Sequence, residues 1–346
     1  MCNIAGYVGK KQAAPILIEM MRKQEGLDGG FYTGIATIHE GKIYVEKVVG
    51  DLDTLLSKTN AANLPGTIGF IHTRTPGGRG ETNSEWAHPF TTIVDDKIDT
   101  AFIVNGVVRF FDPLLKERIA LAEKVKADGY ELKTEVYCPD STHVLSNGNK
   151  VHYIDVLCQL ISQKIHKGYD TTEAIEKTFC EMPAEVVGLL LSVTTPDVIT
   201  WGRMNFPMHI AFAKHGAYLA TAPMANPEDA GEPFVLPPFS TGLVYKDRYT
   251  VKPFQEQPSS IAELNSCAYG KVYDHVYKAL HQEGGVTIPT LGVDASFFES
   301  ADIAPANVAV YRALYDINRK EKIKIEVKRK PGQMEGLTAP VFYMSL

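Results

Sequence analysis

The chain has 346 residues, of which 45% are hydrophobic and 22% are charged, and its formal net charge is −6. These values are typical of a folded globular protein long enough for two domains, and they argue against global disorder and a chain-wide nucleic-acid-binding surface. The five cysteines form no CxxC pair, and no apolar run reaches the roughly 18 residues of a membrane span, so we expect a cytoplasmic protein without a disulfide framework or membrane contact.

Short apolar runs bounded by Gly, Asn, Asp and Pro alternate with helical patterns through residues 1–255, which predicts one α/β domain. Where apolar residues recur at spacings of three and four we predict helices, at 13–22, 112–126, 151–167 and 171–180. The strand candidates are 3–8, 33–39, 42–49, 67–72, 100–104, 188–193, 198–201, 209–213, 217–220 and 241–244.

The character of the chain changes at 255–260, where proline and two serines predict a linker before a small module at 261–346. In this module we expect helices over 270–283 and 305–320, followed by a hairpin of strands at 323–328 and 339–345. Helices followed by a hairpin are compatible with a winged-helix module, and a local excess of Lys and Arg leaves DNA contact open. The acidic chain and the slight aromatic interleaving favour a solvated charged face instead.

Met1-Cys2 is the most informative pair of residues, because removal of the initiator Met would place a thiol and a free α-amino group on one residue. The amine can then take the thiol proton, as in N-terminal nucleophile chemistry. A cysteine at position 2 is weak evidence by itself. Its weight comes from the polar groups that follow it along the chain.

Three such groups follow Cys2: 72–74 (His-Thr-Arg), Asn83 with 88–90 (His-Pro-Phe), and 105–106 (Asn-Gly). Each is ambiguous alone, since an Arg in a loop is commonly a surface ion-pair partner and Asn-Gly is a common two-residue hairpin turn. Their joint appearance behind an N-terminal cysteine points to a catalytic constellation.

These segments resemble the class II glutamine amidotransferase domain, an N-terminal nucleophile hydrolase found, for example, in glucosamine-6-phosphate synthase. The resemblance covers about residues 2–255 in collinear order. It is carried by the segments 1–9 (MCNIAGYVG), 34–36 (GIA), 71–74 (IHTR), 83 with 88–90 (N, HPF), 102–106 (FIVNG) and 238–244 (PFSTGLV). The resemblance implies an α+β, four-layer αββα sandwich in which two stacked sheets lie between helical layers.

The resemblance also implies a role for each matching residue. Cys2 would attack the side-chain amide carbon, and its α-amino group would carry the proton. The Asn105 side-chain amide and the Gly106 backbone N–H would bind the oxyanion. Arg74 would hold the substrate α-carboxylate, because its planar guanidinium makes a bidentate, charge-assisted pair.

Some positions depart from the family pattern. Position 3 is Asn where the family has Gly, the segment 28–34 lacks the family's Arg and Asp, and 75–80 lacks its Thr and His. For the carboxylate that binds the substrate α-ammonium, matching the motif gives Asp140, which we prefer slightly. Matching the following helix instead places Tyr153 at that position, with Asp155 two residues on, although Asp155 also fits a solvated first-turn helix residue.

The sequence therefore favours an amide hydrolase that releases ammonia from glutamine or another γ-glutamyl compound through a Cys2 thioester. The alternative is a catalytically altered domain that senses a small molecule and acts as a regulatory or binding protein through its C-terminal module. Because only about 90 residues follow the domain, we expect any ammonia-accepting synthase either to be on a separate chain or to be absent. We expect no cofactor and no metal, and homo-oligomerisation stays open.

Overall fold

The computed structural model describes residues 2–75, 83–107, 115–138, 141, 144–255, 269–292, 307–331 and 336–346. The helices in these ranges are α1 (Ala13–Arg22), α2 (Leu52–Lys58), α3 (Leu115–Ala127), α4 (Tyr153–His166), α5 (Thr171–Glu181), α6 (Tyr269–Leu280) and α7 (Asn307–Lys320). Among the described residues, no helix is long and apolar enough to cross a membrane.

Among the described residues the strands outnumber the helices, and most of them are shorter than the helices. They are β1 (Asn3–Gly9), β2 (Tyr32–His39), β3 (Lys42–Val49), β4 (Ile68–Arg74), β5 (Phe90–Val94), β6 (Lys97–Val107), β7 (Val136–Tyr137), β8 (Asn149–Lys150), β9 (Glu185–Ser192), β10 (Ile199–Arg203), β11 (His209–Ala213), β12 (Gly216–Ala220), β13 (Phe234–Val235), β14 (Ser240–Val244), β15 (Lys252–Pro253), β16 (Lys324–Pro331) and β17 (Thr338–Ser345).

Two antiparallel sheets form the centre of the protein. One has the strand order β13-β11-β12-β1-β4-β2-β3, and the other has the order β15-β14-β10-β9-β6-β5. A buried apolar cluster between the sheets joins Ile4 and Val8 of β1 to Ala101 and Ile103 of β6. The sheets therefore pack face to face through a buried apolar layer.

Helices pack on the outer face of each sheet, the face turned away from the other sheet. Ala5 and Tyr7, the alternate residues of β1, pack with α1 and α2. Phe102 and Val104, the alternate residues of β6, pack with α4 and α5. Both faces of these central strands are buried, which explains why they read as continuous apolar runs. The layers run helix, sheet, sheet, helix, and the four-layer αββα sandwich expected from the sequence is confirmed.

The predicted elements agree with the structure to within a few residues, but the sequence missed one helix and five short strands of the described residues: α2, β5, β7, β8, β13 and β15. Helix α2 is only seven residues long and begins after Asp51, whose side chain accepts a hydrogen bond from the Thr54 backbone N–H. Strand β5 forms the edge of the second sheet beside β6. Short elements such as these give too few repeats for a periodic pattern to stand out.

The C-terminal elements are the two helices and the hairpin that the sequence predicts. Strands β16 and β17 pair in antiparallel register from Lys324 opposite Ser345 to Pro331 opposite Thr338. The buried cluster that holds α6, α7 and β17 together also contains Leu27 and Ala222 of the preceding part of the chain. The proposed linker 256–260 lies outside the described residues. The division at residue 255 and the winged-helix assignment both stay predictions.

Candidate functional site

The strand alternation decides which way the candidate residues face. In β1 the even-numbered residues Ile4 and Val8 face the second sheet, and Cys2 precedes β1 with the same parity. In β6, Asn105 has the parity of Ala101 and Ile103, which face the first sheet. Residues from opposite sheets are therefore directed toward the same space between them.

Asn105 and Cys2 meet in that space. The Asn105 side-chain nitrogen donates a hydrogen bond to the Cys2 carbonyl oxygen at 2.7 Å, across 103 positions of sequence. The same nitrogen lies 3.4 Å from the Thr221 hydroxyl, which accepts from the Ile4 backbone N–H at 2.9 Å. Asn105 is fully buried and the Cys2 residue is half-buried. The proposed nucleophile and the proposed oxyanion donor are thus brought together by three separate segments.

Gly106 lies in β6 opposite Val186, not in a turn, so the interpretation of Asn-Gly as a simple hairpin turn is wrong. A Cβ atom at this position would lie 2.4 Å from the Glu185 backbone oxygen. That separation is shorter than any real Cβ contact, so the close approach of β6 and β9 requires glycine here.

Two histidines hold the strand just before Asn105. His72 donates through Nε2 to the Val104 carbonyl oxygen at 3.0 Å, and the Val104 N–H donates to His88 Nδ1 at 3.2 Å. The two imidazole rings are stacked with centroids 4.0 Å apart. Burial lowers the pKa of His72 to about 3 and lowers the pKa of His88 well below its usual range, so both rings are neutral. The pair therefore clamps the backbone of β6 without adding charge to the site.

Arg74 lies at the end of β4, across from Cys2 in the register that pairs Asn3 with Thr73. Its guanidinium donates to the Trp86 carbonyl oxygen at 3.0 Å and lies over the Tyr32 ring, 5.0 Å from the ring centroid. These contacts fix the guanidinium at the end of β4, the strand that pairs with β1. Asn83, the other polar residue of this segment, accepts a hydrogen bond from the Glu85 N–H at 2.9 Å and so caps a short helical turn.

The two candidates for the ammonium-binding carboxylate have different outcomes. Asp140 lies outside the described residues. Asp155 is buried, so the interpretation of it as a solvated first-turn residue is wrong. One of its carboxylate oxygens accepts from the backbone N–H and the hydroxyl of Thr134, at 3.1 and 2.9 Å, and the other accepts from Gln159 at 3.0 Å. Burial raises the pKa of Asp155. Its hydrogen bonds tie the start of α4 to the preceding loop.

The departures at 28–34 coincide with a contact that sequence reasoning missed. A Cβ atom on Gly26 would lie 2.1 Å from the Phe342 ring, and one on Gly30 would lie 2.9 Å from the Ala339 Cβ atom. Strand β17 therefore packs directly on this loop. The Asn3 side chain also donates to the Asp28 carbonyl oxygen at 3.2 Å, which ties position 3 to the same loop. The run of glycines was the available signal for this close approach.

Within the described ranges, no group of three or more His, Cys, Asp or Glu side chains could hold a metal ion. Cys158, a residue of α4, is buried in the apolar cluster that this helix shares with β6. Burial raises the pKa of its thiol to about 12, so it stays protonated.

Solved structures share this architecture. The chain superposes on the glutamine phosphoribosylpyrophosphate amidotransferase from B. subtilis with a TM-score of 0.57 and 15% identity, covering 82% of this chain and 59% of that one. A second structure, titled the allosteric regulatory enzyme of purine biosynthesis, gives a TM-score of 0.58 at 14% identity, covering 90% and 63%. The chain has the class II glutamine amidotransferase fold.

The curated relatives found by sequence comparison are glutamine–fructose-6-phosphate aminotransferases. The chain is 26% identical over 256 residues to the glutamine–fructose-6-phosphate aminotransferase of Pyrococcus horikoshii, covering 73% of this chain and 38% of the relative. It is 28% identical over 302 residues to that of Clostridium tetani, covering 84% and 44%. The chain thus spans less than half the length of these curated relatives. No protein-family model matches it.

Proposed function

We propose that this protein is an N-terminal cysteine amidohydrolase that releases ammonia from glutamine or a related γ-glutamyl amide. The observation that carries the proposal is the 2.7 Å hydrogen bond from the Asn105 side chain to Cys2. It supports the pairing of a nucleophile with an oxyanion donor, and the relatives are named as glutamine-using aminotransferases.

In the proposed reaction the Cys2 sulfur attacks the substrate amide carbon and the thiol proton passes to the Cys2 α-amino group. The developing oxyanion receives hydrogen bonds from the Asn105 amide and the Gly106 N–H. The α-ammonium then protonates the departing nitrogen, which leaves as ammonia and a thioester remains. The same amine activates the water that hydrolyses the thioester, which releases the acid and restores the thiol.

The substrate side of the site would need a cation for the substrate carboxylate and a carboxylate for the substrate α-ammonium. Arg74 lies across from Cys2 and is held by Trp86 and Tyr32, so we propose that it binds a substrate carboxylate. Asp140 is proposed for the substrate α-ammonium. Asp155 is the weaker candidate, because both of its carboxylate oxygens already accept hydrogen bonds within the protein.

Ammonia released at Cys2 needs an acceptor, and we propose that the acceptor site lies outside this sequence. The relatives are more than twice as long as the region matched here, and their names describe an aminotransferase with an isomerising activity. The alternative role as a ligand-sensing regulatory protein is not favoured, because the relatives are named as glutamine-using aminotransferases.

The experiment that tests the proposal is ammonia release from L-glutamine by protein from which Met1 has been removed. Cys2→Ala should abolish release. The matched control is Cys180→Ala, which alters another half-buried cysteine, located in α5, and should leave the rate unchanged. Equal rates in wild type and Cys2→Ala would refute the mechanism.

A further inference from the structure

The C-terminal hairpin contacts the first large sheet through an ion pair. The Arg329 guanidinium, on β16, donates to the Asp51 carboxylate and to the Thr338 carbonyl oxygen, the latter at 3.0 Å. Its Nε atom also donates to the Thr338 hydroxyl at 2.9 Å. The Asp51 side chain is buried, whereas about half of the Arg329 side chain is exposed. The two residues are 278 positions apart in sequence, so this contact exists only in the folded chain.

Asp51 lies at a corner between β3 and α2 that also supports β2. The residue before it, Gly50, donates through its N–H to the Phe31 carbonyl oxygen at 2.7 Å. The Gly50 carbonyl oxygen accepts from the Thr33 hydroxyl at 2.8 Å. An ion pair that holds Asp51 in place therefore also holds the chain at the start of β2.

The start of β2 in turn lies against Arg74, the proposed ligand of the substrate carboxylate. The Phe31 N–H donates to the Arg74 carbonyl oxygen at 3.1 Å. The next residue, Tyr32, is opposite Arg74 in the register of β2 with β4, and its ring lies 5.0 Å from the guanidinium carbon. Phe31 thus hydrogen-bonds to Gly50 through its carbonyl oxygen and to Arg74 through its N–H. A single residue joins the corner to the proposed carboxylate ligand.

Strand β17 contacts the same part of the chain at a second point. A Cβ atom on Gly30 would lie 2.9 Å from the Pro340 Cδ atom. The Gly30 N–H donates to the Thr73 hydroxyl at 2.7 Å, and Thr73 directly precedes Arg74 in β4. The hairpin therefore supports the chain both before Phe31, through β17, and at the corner that binds it, through β16.

We propose that Arg329 is a positioning residue for substrate binding. Its ion pair with Asp51 holds the chain at the start of β2, and with it Arg74, in the place that binds the substrate carboxylate. The inference rests on the proposed amidohydrolase function. It gives the C-terminal hairpin a role in the affinity for glutamine, although the hairpin holds none of the residues assigned to the reaction. A partly exposed ion pair contributes little to stability by itself, so its effect is expected on binding.

The test compares wild type with Arg329→Ala, Asp51→Asn, the double variant and the control Lys328→Ala, all as full chains without Met1. Asp51→Asn removes the charge and keeps a side chain that caps helices equally well. Lys328 is the neighbouring cation on β16, and its ammonium lies 3.1 Å from the Glu326 carboxylate. The control thus removes the same charge from the same strand.

Three measurements are made on each protein. Ammonia release from L-glutamine gives kcat and KM, and a thermal melt gives Tm. Iodoacetamide alkylation of Cys2, followed by peptide mapping, reports on the nucleophile without substrate.

We expect Arg329→Ala to raise KM about fivefold, the scale of a partly exposed ion pair, with Tm within a few degrees of wild type. The kcat and the alkylation rate should stay nearly unchanged, because a carboxylate bound away from the reacting amide affects KM rather than kcat. Asp51→Asn should raise KM by a similar factor, and the double variant by no more, since both substitutions break the same contact. Lys328→Ala should match wild type in all three measurements.

The outcomes separate this inference from the function on which it rests. If wild type releases ammonia and Arg329→Ala has the wild-type KM, only the assignment of Arg329 is wrong. An equal rise of KM in Lys328→Ala also overturns it, because the effect is then one of surface charge. So does a joint fall in kcat, alkylation rate and Tm, because the ion pair then stabilises the whole fold. If wild type releases no ammonia while Cys2 is still alkylated, the proposed function fails and the assignment falls with it.

Discussion

Asn105→Ala is the substitution that most directly tests the geometry around Cys2. It removes the side-chain nitrogen 2.7 Å from the Cys2 carbonyl oxygen and leaves the Gly106 N–H as the remaining proposed oxyanion donor. Loss of one such donor typically costs about 100- to 1,000-fold in kcat, or about 2.7 to 4 kcal/mol. We expect a decrease of that size in the initial rate of ammonia release at saturating L-glutamine.

The same substitution should have little effect on stability. The lost hydrogen bond contributes about 0.5 to 1.5 kcal/mol. The side chain also carries a buried oxygen, Asn105 Oδ1, with no partner among the described residues, and an unsatisfied buried group of this kind costs about 1 to 3 kcal/mol. The two effects oppose each other. Thermal melts should therefore place Tm within a few degrees of wild type.

Thr221→Val is the matched control, because we expect it to lower stability and to change kcat less than Asn105→Ala does. It removes the hydroxyl that accepts from the Ile4 N–H at 2.9 Å and keeps the Asn105 donor. Stability should fall by about 1 to 3 kcal/mol, because a buried N–H loses its partner, while kcat changes less than in Asn105→Ala. If Asn105→Ala kept nearly the wild-type rate with an intact fold, Asn105 would not bind the oxyanion and the proposed mechanism would be wrong.

Three further predictions concern the packing and the pH dependence. Phe342→Ala should destabilise the protein by about 3 to 5 kcal/mol in urea unfolding, since the buried ring contacts Gly26, whereas Val327→Ala on the exposed strand β16 should have a small effect. Gly106→Ala should lower both Tm and ammonia release, because its Cβ would lie 2.4 Å from a backbone oxygen; an unchanged Tm would contradict the observed strand spacing. Burial raises the pKa of Glu25 to about 8, so its protonated form favours the folded state. This stability is fully present below the unfolded pKa of about 4.5 and is lost as the pH rises to about 8, so Tm should fall over that range. Glu25→Gln should flatten the fall, and equal slopes in the two proteins would refute the assignment.

Local patterns in the sequence were sufficient to predict most elements of the fold. The ten predicted strands correspond to strands of the two large sheets, and the predicted helices correspond to α1 and α3–α7. Helix α2 and strand β5 were too short for their periodicity to be distinguished. The polarity of Asp155 suggested a solvated position, and only the packing of α4 against the loop at Thr134 shows that it is buried.

The candidate site was predictable in part. The family resemblance singled out Cys2, Arg74, Asn105 and Gly106. In the structure the Asn105 side chain, the proposed oxyanion donor, forms a hydrogen bond with Cys2, the proposed nucleophile. Their roles in catalysis stay proposals.

The sequence by itself determined the local conformation, since the period of two in β1 and β6 and the period near 3.6 in α4 and α7 are properties of neighbouring residues. The sequence also determined which side chains lie at the ends of the strands. Only the tertiary structure decided which of these groups meet. Residues 2, 105 and 221 are far apart along the chain, and their contact depends on antiparallel register and on the packing of one sheet on the other. Those are non-local interactions, which no short window of sequence encodes.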